Sequence, residues 1–285
     1  MRGIQIEKVT KSFGELVVLE NVSTQIQPGV IYGLLGRNGV GKTTLLNLIA
    51  NRLYVDSGSI ELDGAQTMDN DEALGQMYYM STQNLYPETM KVKEAFDWTE
   101  HFYQNFDREE AVRLAGEFQL PLNKKIKDLS TGMGSIFKLI VAMATNAPYL
   151  LLDEPVLGLD ANNRHAIYRC LLEKYAENGC SIVLSTHIIE EVSGVIEDVI
   201  ILHEQKVLKD TSVEHLLETH YKVAGPQGEV EEYLRGKELI QMQKLGGLRI
   251  AIIEGAPDSP GGNLSIEPVD LQELFVALTQ NEQGM

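Results

Sequence analysis

The sequence predicts an α/β protein whose sheet-and-helix frame is interrupted by a helical block and followed by a small α+β unit. Three observations carry that prediction. The apolar run "GVIYGLLG" passes through a glycine-rich turn into the helix-spaced "GKTTLLNLIANRL", so a strand, a turn and a helix follow one another within about 20 residues. "YLLLDEP", residues 149 to 155, opens with apolar residues in unbroken succession, as a strand buried on both faces does. After residue 219 this character gives way to short strand-like and helix-like pieces separated by "GPQG" and "GAPDSPGGN".

Taken in order, "GIQIEKVT" and "VVLENVSTQI" alternate apolar and polar residues and predict half-buried strands. "GVIYGLLG" predicts an interior strand, and helical spacing begins at Gly41. "GSIELDG" and "QMYYMS" predict two further strands. Residues from roughly 90 to 145 are mostly helical in pattern, including "MKVKEAFDWTEHFY" and "REEAVRLAGEFQL". Strands follow at "YLLLDE", "CSIVLST" and "DVIILHEQKVL". The tail then predicts strand pieces at "LIQMQKLGG" and "LRIAIIEG", before "LSIEPVDLQELFVALT". The expected division is a main domain over residues 1–219, with a helical insertion at about 84–145, and an accessory domain over 220–285.

Composition narrows the function. At 285 residues and 44% hydrophobic content the chain can build a normal core and one further small domain. A formal net charge of -17 repels phosphate backbones, which argues against nucleic acid as a partner. Two cysteines, Cys170 and Cys180, provide no disulfide framework, and no run reaches the ~18 apolar residues that span a bilayer. The start "MRGIQIEKVTKSFG" lacks the apolar core of a signal peptide, so a cytoplasmic location is expected.

"GRNGVGKT", residues 36 to 43, fits the phosphate-loop pattern GxxxxGK[ST]. Gly36, Gly39 and Gly41 permit the turns that aim backbone N–H groups at a phosphate, and Asn38 stands within the loop. Lys42 is expected to neutralise the outer phosphates and Thr43 to place its hydroxyl on Mg²⁺. Thr44 opens the helix whose positive end faces the anion. At the end of "YLLLDEP", Asp153 is positioned to hold Mg²⁺ and Glu154 to orient or deprotonate an attacking water. "DLSTGMGSIFK", residues 128 to 138, is in itself only a good helix start, with Ser130 or Thr131 as N-cap.

The order of these motifs resembles the ATP-binding subunits of ABC transporters, over roughly residues 1 to 219. Gln83 in "YYMSTQNLYPE", "LSTGM", "LLLDEP", "LGLD" ending at Asp160 and "STH" ending at His187 follow the phosphate loop in the family's sequence. The resemblance implies a P-loop NTPase of ABC type with an antiparallel β subdomain, an inserted helical subdomain and a small C-terminal α+β domain. It implies that Phe13 stacks on adenine, that Gln83 senses Mg²⁺ and that His187 contacts the γ-phosphate. Asp160 would lie at the seam of a dimer, with Ser130 and Gly132 closing on ATP held by the opposite subunit. "LSTGM" departs from the usual LSGGQ by Thr131 and Met133, which removes a side-chain amide, and the following "GS" removes a positive charge.

ATP and Mg²⁺ are therefore the expected cofactors. The expected function is ATP binding and hydrolysis, by dimerisation around two MgATP, to drive a separate membrane permease from the inner face of the membrane. The second ATP-binding subunit is a copy of this chain or a different one. Similarity of "LSTGM" and the tail to the bacitracin- and lantibiotic-resistance subunits, and to those encoded with GntR-type regulators, implies export. The alternative is a soluble relative acting in translation or DNA maintenance. Such relatives commonly carry paired cassettes, long coiled coils or basic surfaces, none of which this chain's sequence contains.

Overall fold

The computed structural model describes residues 2–259 and 261–280, so Pro260 and residues 281–285 of the expected accessory domain lie outside it. The described residues fall into two compact units: those up to His187 with Ile200–Asp210, and Ile188–Val199 with those from Thr211 to residue 280.

The first unit is built on two sheets. In the antiparallel one, Leu16–Ile26 pairs with Ile4–Phe13, which pairs with Ser57–Leu62, with the short Ala65–Gln66 at the edge. Its inward residues, among them Ile4, Ile6, Val9, Val22 and Ile60, share one core with Leu45, Leu46, Leu48 and Ile49 of the helix Lys42–Ile49. The six-stranded sheet runs Lys206–Ser212, Asp198–His203, Ile31–Leu35, Ser181–Thr186, Tyr149–Asp153, Met77–Met80. Ile31–Leu35, Ser181–Thr186, Tyr149–Asp153 and Met77–Met80 pair in parallel and are buried along their whole length. Unbroken apolar runs suit a sheet covered on both faces.

One expectation changes in detail. "DVIILHEQKVL" forms two strands, because Glu204 and Gln205 adopt φ of 45° and 71° and fold the chain back between Asp198–His203 and Lys206–Ser212. Two successive left-handed residues make the tight hairpin turn whose twist matches its strands. Asp71–Leu74 is a single helical turn, too short for sequence periodicity to reveal, and Asn70 caps it.

The helical block comprises Val92–Phe102, Arg108–Glu117 and Thr131–Ala144. Thr131–Ala144 is buried almost continuously from Ser135 onward, as an apolar helix surrounded by protein must be. Phe137 from that helix stacks on Phe96 of Val92–Phe102 with ring centroids 6.2 Å apart, and Phe106 closes on Phe96 at 6.3 Å. These rings join the block into one piece.

In the second unit an antiparallel sheet runs Glu238–Leu245, Leu248–Glu254, His220–Pro226, Ser265–Pro268. Tyr221, Val223, Ala251 and Ile253 form a small core with Val230 of the helix Gln227–Tyr233. The helix Leu271–Thr279 begins with a capping box, in which Asp270 accepts from Glu273 N at 2.7 Å.

Candidate functional site

The phosphate loop is built where the interior strand Ile31–Leu35 ends. Gly39 and Gly41 take φ of 82° and 111°, so the loop folds through conformations that favour glycine. At Gly36 the space is the constraint: a Cβ would come within 2.6 Å of Val40 Cγ1 and 2.9 Å of Leu202 O. The helix Lys42–Ile49 starts directly from Gly41 with no side-chain cap, which leaves its first N–H groups for a ligand. Lys42 is buried and donates to Gly36 O at 2.7 Å, bending back over the loop. Burial pushes its ammonium below the ordinary lysine range, against the opposing pull of the Glu154 and Asp153 carboxylates.

The neighbouring parallel strands deliver the acids. Thr43 Oγ1 donates to Asp153 Oδ2 at 2.8 Å, and Ser185 Oγ donates to the other carboxylate oxygen at 2.9 Å. Asp153 is buried and ends the strand Tyr149–Asp153, opposite Ser185 in register. The pairing of a hydroxyl with one anionic oxygen suits a magnesium ion that keeps waters and phosphate oxygens as its other ligands. Among the described residues no group of three or more His, Cys, Asp or Glu could hold a metal ion.

Glu154 follows at φ 47°, unusual for a residue with a side chain, and its N–H is held by Ser185 O at 2.9 Å. That turn presents its carboxylate to His187, whose Nδ1 lies in hydrogen-bonding contact with Glu154 Oε1 at 2.9 Å. The imidazole is thereby held beside the carboxylate.

Ser130, Gly132 and Asp160 form a second cluster. Ser130 caps Thr131–Ala144 by accepting from Met133 N at 3.3 Å, and Asp160 caps Ala161–Asn178 by accepting from Asn163 N at 2.9 Å. The Asn163 backbone bond holds the Asp160 carboxyl below its usual range. Gly132 lies so close to Gly158 that a Cβ would meet Gly158 O at 2.7 Å, and Ser135 Oγ donates to Leu157 O at 2.7 Å. "LSTGM" and "LGLD" therefore share one surface. A groove of about 620 Å³ lies over it, lined by Ser130, Gly132, Met133, Gly158 and Asp160 and by no residue of the phosphate loop.

Phe13 stands at the end of Ile4–Phe13 with 49% of its surface exposed, and Lys11 Nζ lies 5.6 Å from its ring centroid. Gln83 is exposed just past Met77–Met80, its N–H held by Ser81 Oγ at 3.2 Å. Sequence reasoning did not single out Ser185 or Lys138. Ser185 could have been found through "STH". Lys138 carried no signal, because its partners, the carbonyls of Ser81 and Thr82, are backbone atoms remote in sequence.

Comparison with known proteins shows the family. Residues 19–157 match the ABC transporter family model. An uncharacterized ABC transporter ATP-binding protein of Methanocaldococcus jannaschii is 31% identical over 222 residues, 75% of this chain and 79% of that one. The chain belongs to the ABC transporter ATP-binding proteins. The ABC transporter ATP-binding protein YtrB of Bacillus subtilis (strain 168) is 28% identical over 283 residues, covering 96% of this ABC protein and 97% of its own length. A dimeric structure of a bacterial ABC transporter cassette superposes with a TM-score of 0.66 at 25% identity, over 74% of this chain and 98% of that one. This ABC protein is thus the ATP-binding subunit of a transporter and an ATPase.

Proposed function

We propose that two ATP-binding subunits close head to tail around two MgATP, and that the closing and reopening drives a separate membrane permease. The observation that carries this reading is the division of the chemistry. The groove at Ser130 and Gly132 includes Gly158 and Asp160 but nothing from the phosphate loop, so a nucleotide held by Lys42 is completed by the signature surface of a second subunit.

In this scheme Lys42 and the N–H groups from Gly39 to Thr44 bind the β- and γ-phosphates. Thr43 and Asp153 would hold Mg²⁺, with Gln83 near it, where the ion supplies charge neutralisation. Glu154 accepts the proton of the attacking water, and His187 holds that carboxylate in place while its other nitrogen meets the γ-phosphate. Phe13 offers its exposed face to adenine. Residues 1–219 act as the ATPase domain and 220–285 as an accessory domain.

The permease has a candidate seat. A groove of about 430 Å³ is lined by Tyr78, Leu85, Tyr86, Trp98, Phe102 and Tyr103, immediately beyond Gln83. Trp98 and Phe102 remain 53% and 73% exposed there, an apolar surface of the kind that marks a protein contact. In this reading the permease supplies the membrane path and this chain works on the inner face; no helix among the described residues is long and apolar enough to cross a membrane. Export is the direction supported by the similarity of "LSTGM" and the tail to the bacitracin- and lantibiotic-resistance subunits. Transport assays in vesicles containing the reconstituted complex, with MgATP outside, test it: accumulation of cargo inside the vesicles is expected, and ATP-driven loss from loaded vesicles would reverse the assignment.

The deciding experiment on assembly is light scattering of Glu154→Gln with and without MgATP, beside Glu154→Gln carrying Ser130→Arg. A mass that doubles with MgATP, and fails to double in the Ser130→Arg control, is expected. A Glu154→Gln protein that binds MgATP and stays monomeric would overturn self-dimerisation.

A further inference from the structure

We propose that Lys138 is a positioning residue for ATP hydrolysis, locking the helix that carries Ser130 to the backbone that leads into Gln83. Lys138 is the only charged residue of Thr131–Ala144. Its Nζ donates to Ser81 O at 2.9 Å and to Thr82 O at 2.8 Å. Those carbonyls lie just past the last ladder pair of their strand, Met80 with Leu152. Their donors therefore come from elsewhere, and one ammonium serves both.

The placement connects parts that sequence keeps far apart. Lys138 stands eight residues beyond Ser130, about 12 Å along the helix. Gln83 follows Thr82 directly, and Leu85 and Tyr86 of the aromatic groove come next. A shift of the 81–86 segment is therefore passed to Ser130 through a rigid helix and two charge-assisted bonds, instead of being absorbed by sliding apolar packing. Phe137 meets the same segment, with its ring centroid 5.4 Å from that of Tyr86, but an edge-to-face contact permits sliding where paired hydrogen bonds do not.

The energetics separate this role from a structural one. Burial disfavours the Lys138 ammonium, with the Asp153 carboxylate opposing the effect. Lys138→Met keeps the aliphatic reach of the side chain and removes both donors; the bond to Thr82 O lies at the surface, where water can replace it, so the variant is expected to fold and to lose the lock.

The inference rests on the proposed two-subunit site, and its test keeps the two apart. Lys138→Met and Lys138→Arg are compared with the parent in denaturant midpoint, MgATP affinity, KM and kcat, and both substitutions are repeated in Glu154→Gln for light scattering. Lys138→Met is expected to keep the parental midpoint and to bind MgATP within about twofold of the parent, while kcat falls about tenfold or more. In Glu154→Gln it should require more MgATP to dimerise. Lys138→Arg, which retains donors for both carbonyls, should recover most of the rate. Parental kcat in Lys138→Met, or an equal defect in Lys138→Arg, overturns the inference. A Glu154→Gln parent that stays monomeric with MgATP bound overturns self-dimerisation instead, whatever Lys138→Met does to kcat.

Discussion

At the scale of single residues, the site separates holding phosphate from breaking its bond. Lys42 curls back over the loop onto Gly36 O, whereas Glu154 stands one position beyond the Asp153 carboxylate, on a left-handed turn that aims it at His187. Lys42→Ala is accordingly expected to lose MgATP binding. Glu154→Gln keeps the shape and the binding but loses the proton acceptor, so kcat should fall by about 10² to 10⁴. Equilibrium nucleotide binding and steady-state phosphate release measure the two effects separately. Parental turnover in Glu154→Gln would remove Glu154 from the role of base.

At the scale of elements, helix starts do much of the positioning, and they do it through short polar contacts. Ser130 and Asp160 each cap a helix while facing the signature groove, so the caps that fix the helix ends also fix the groove's polar rim. Within the second unit, Asp270 caps Leu271–Thr279 in a box with Glu273. Asp270→Ala should lower the stability of that unit by about 0.5 to 2 kcal/mol while MgATP affinity stays parental. Urea unfolding followed beside nucleotide titration would show it, and a large loss of affinity would mean that the helix acts on the site.

At the scale of the whole molecule, the proposed assembly has each subunit contribute half of two different sites. This predicts complementation. Lys42→Ala and Ser130→Arg are each expected to be inactive alone, yet a mixed dimer joins an intact phosphate loop from one chain to an intact signature surface from the other. Phosphate release should therefore reappear when the two inactive proteins are mixed with MgATP. A mixture as inactive as its components would argue against a shared site. The same division explains the distribution of surface types, with an aromatic groove beside Gln83 and a polar groove at Ser130.

Much of this was legible in the sequence, and the reason is locality. "GRNGVGKT" is one turn whose geometry depends on its own glycines, and the helix start at Ser130 depends on a contact three residues away. Unbroken apolar runs revealed the buried parallel strands because burial on both faces leaves no polar alternation. Tertiary structure alone decided which side chains meet. Thr43 reaches Asp153 across 110 positions, His187 reaches Glu154 across 33, and Lys138 reaches the Ser81 carbonyl across 57. The hairpin at Glu204 and Gln205 and the approach of Gly132 to Gly158 belong to the same class. Strand order and helix packing set these contacts, and neither has a spacing in the chain from which it could be read.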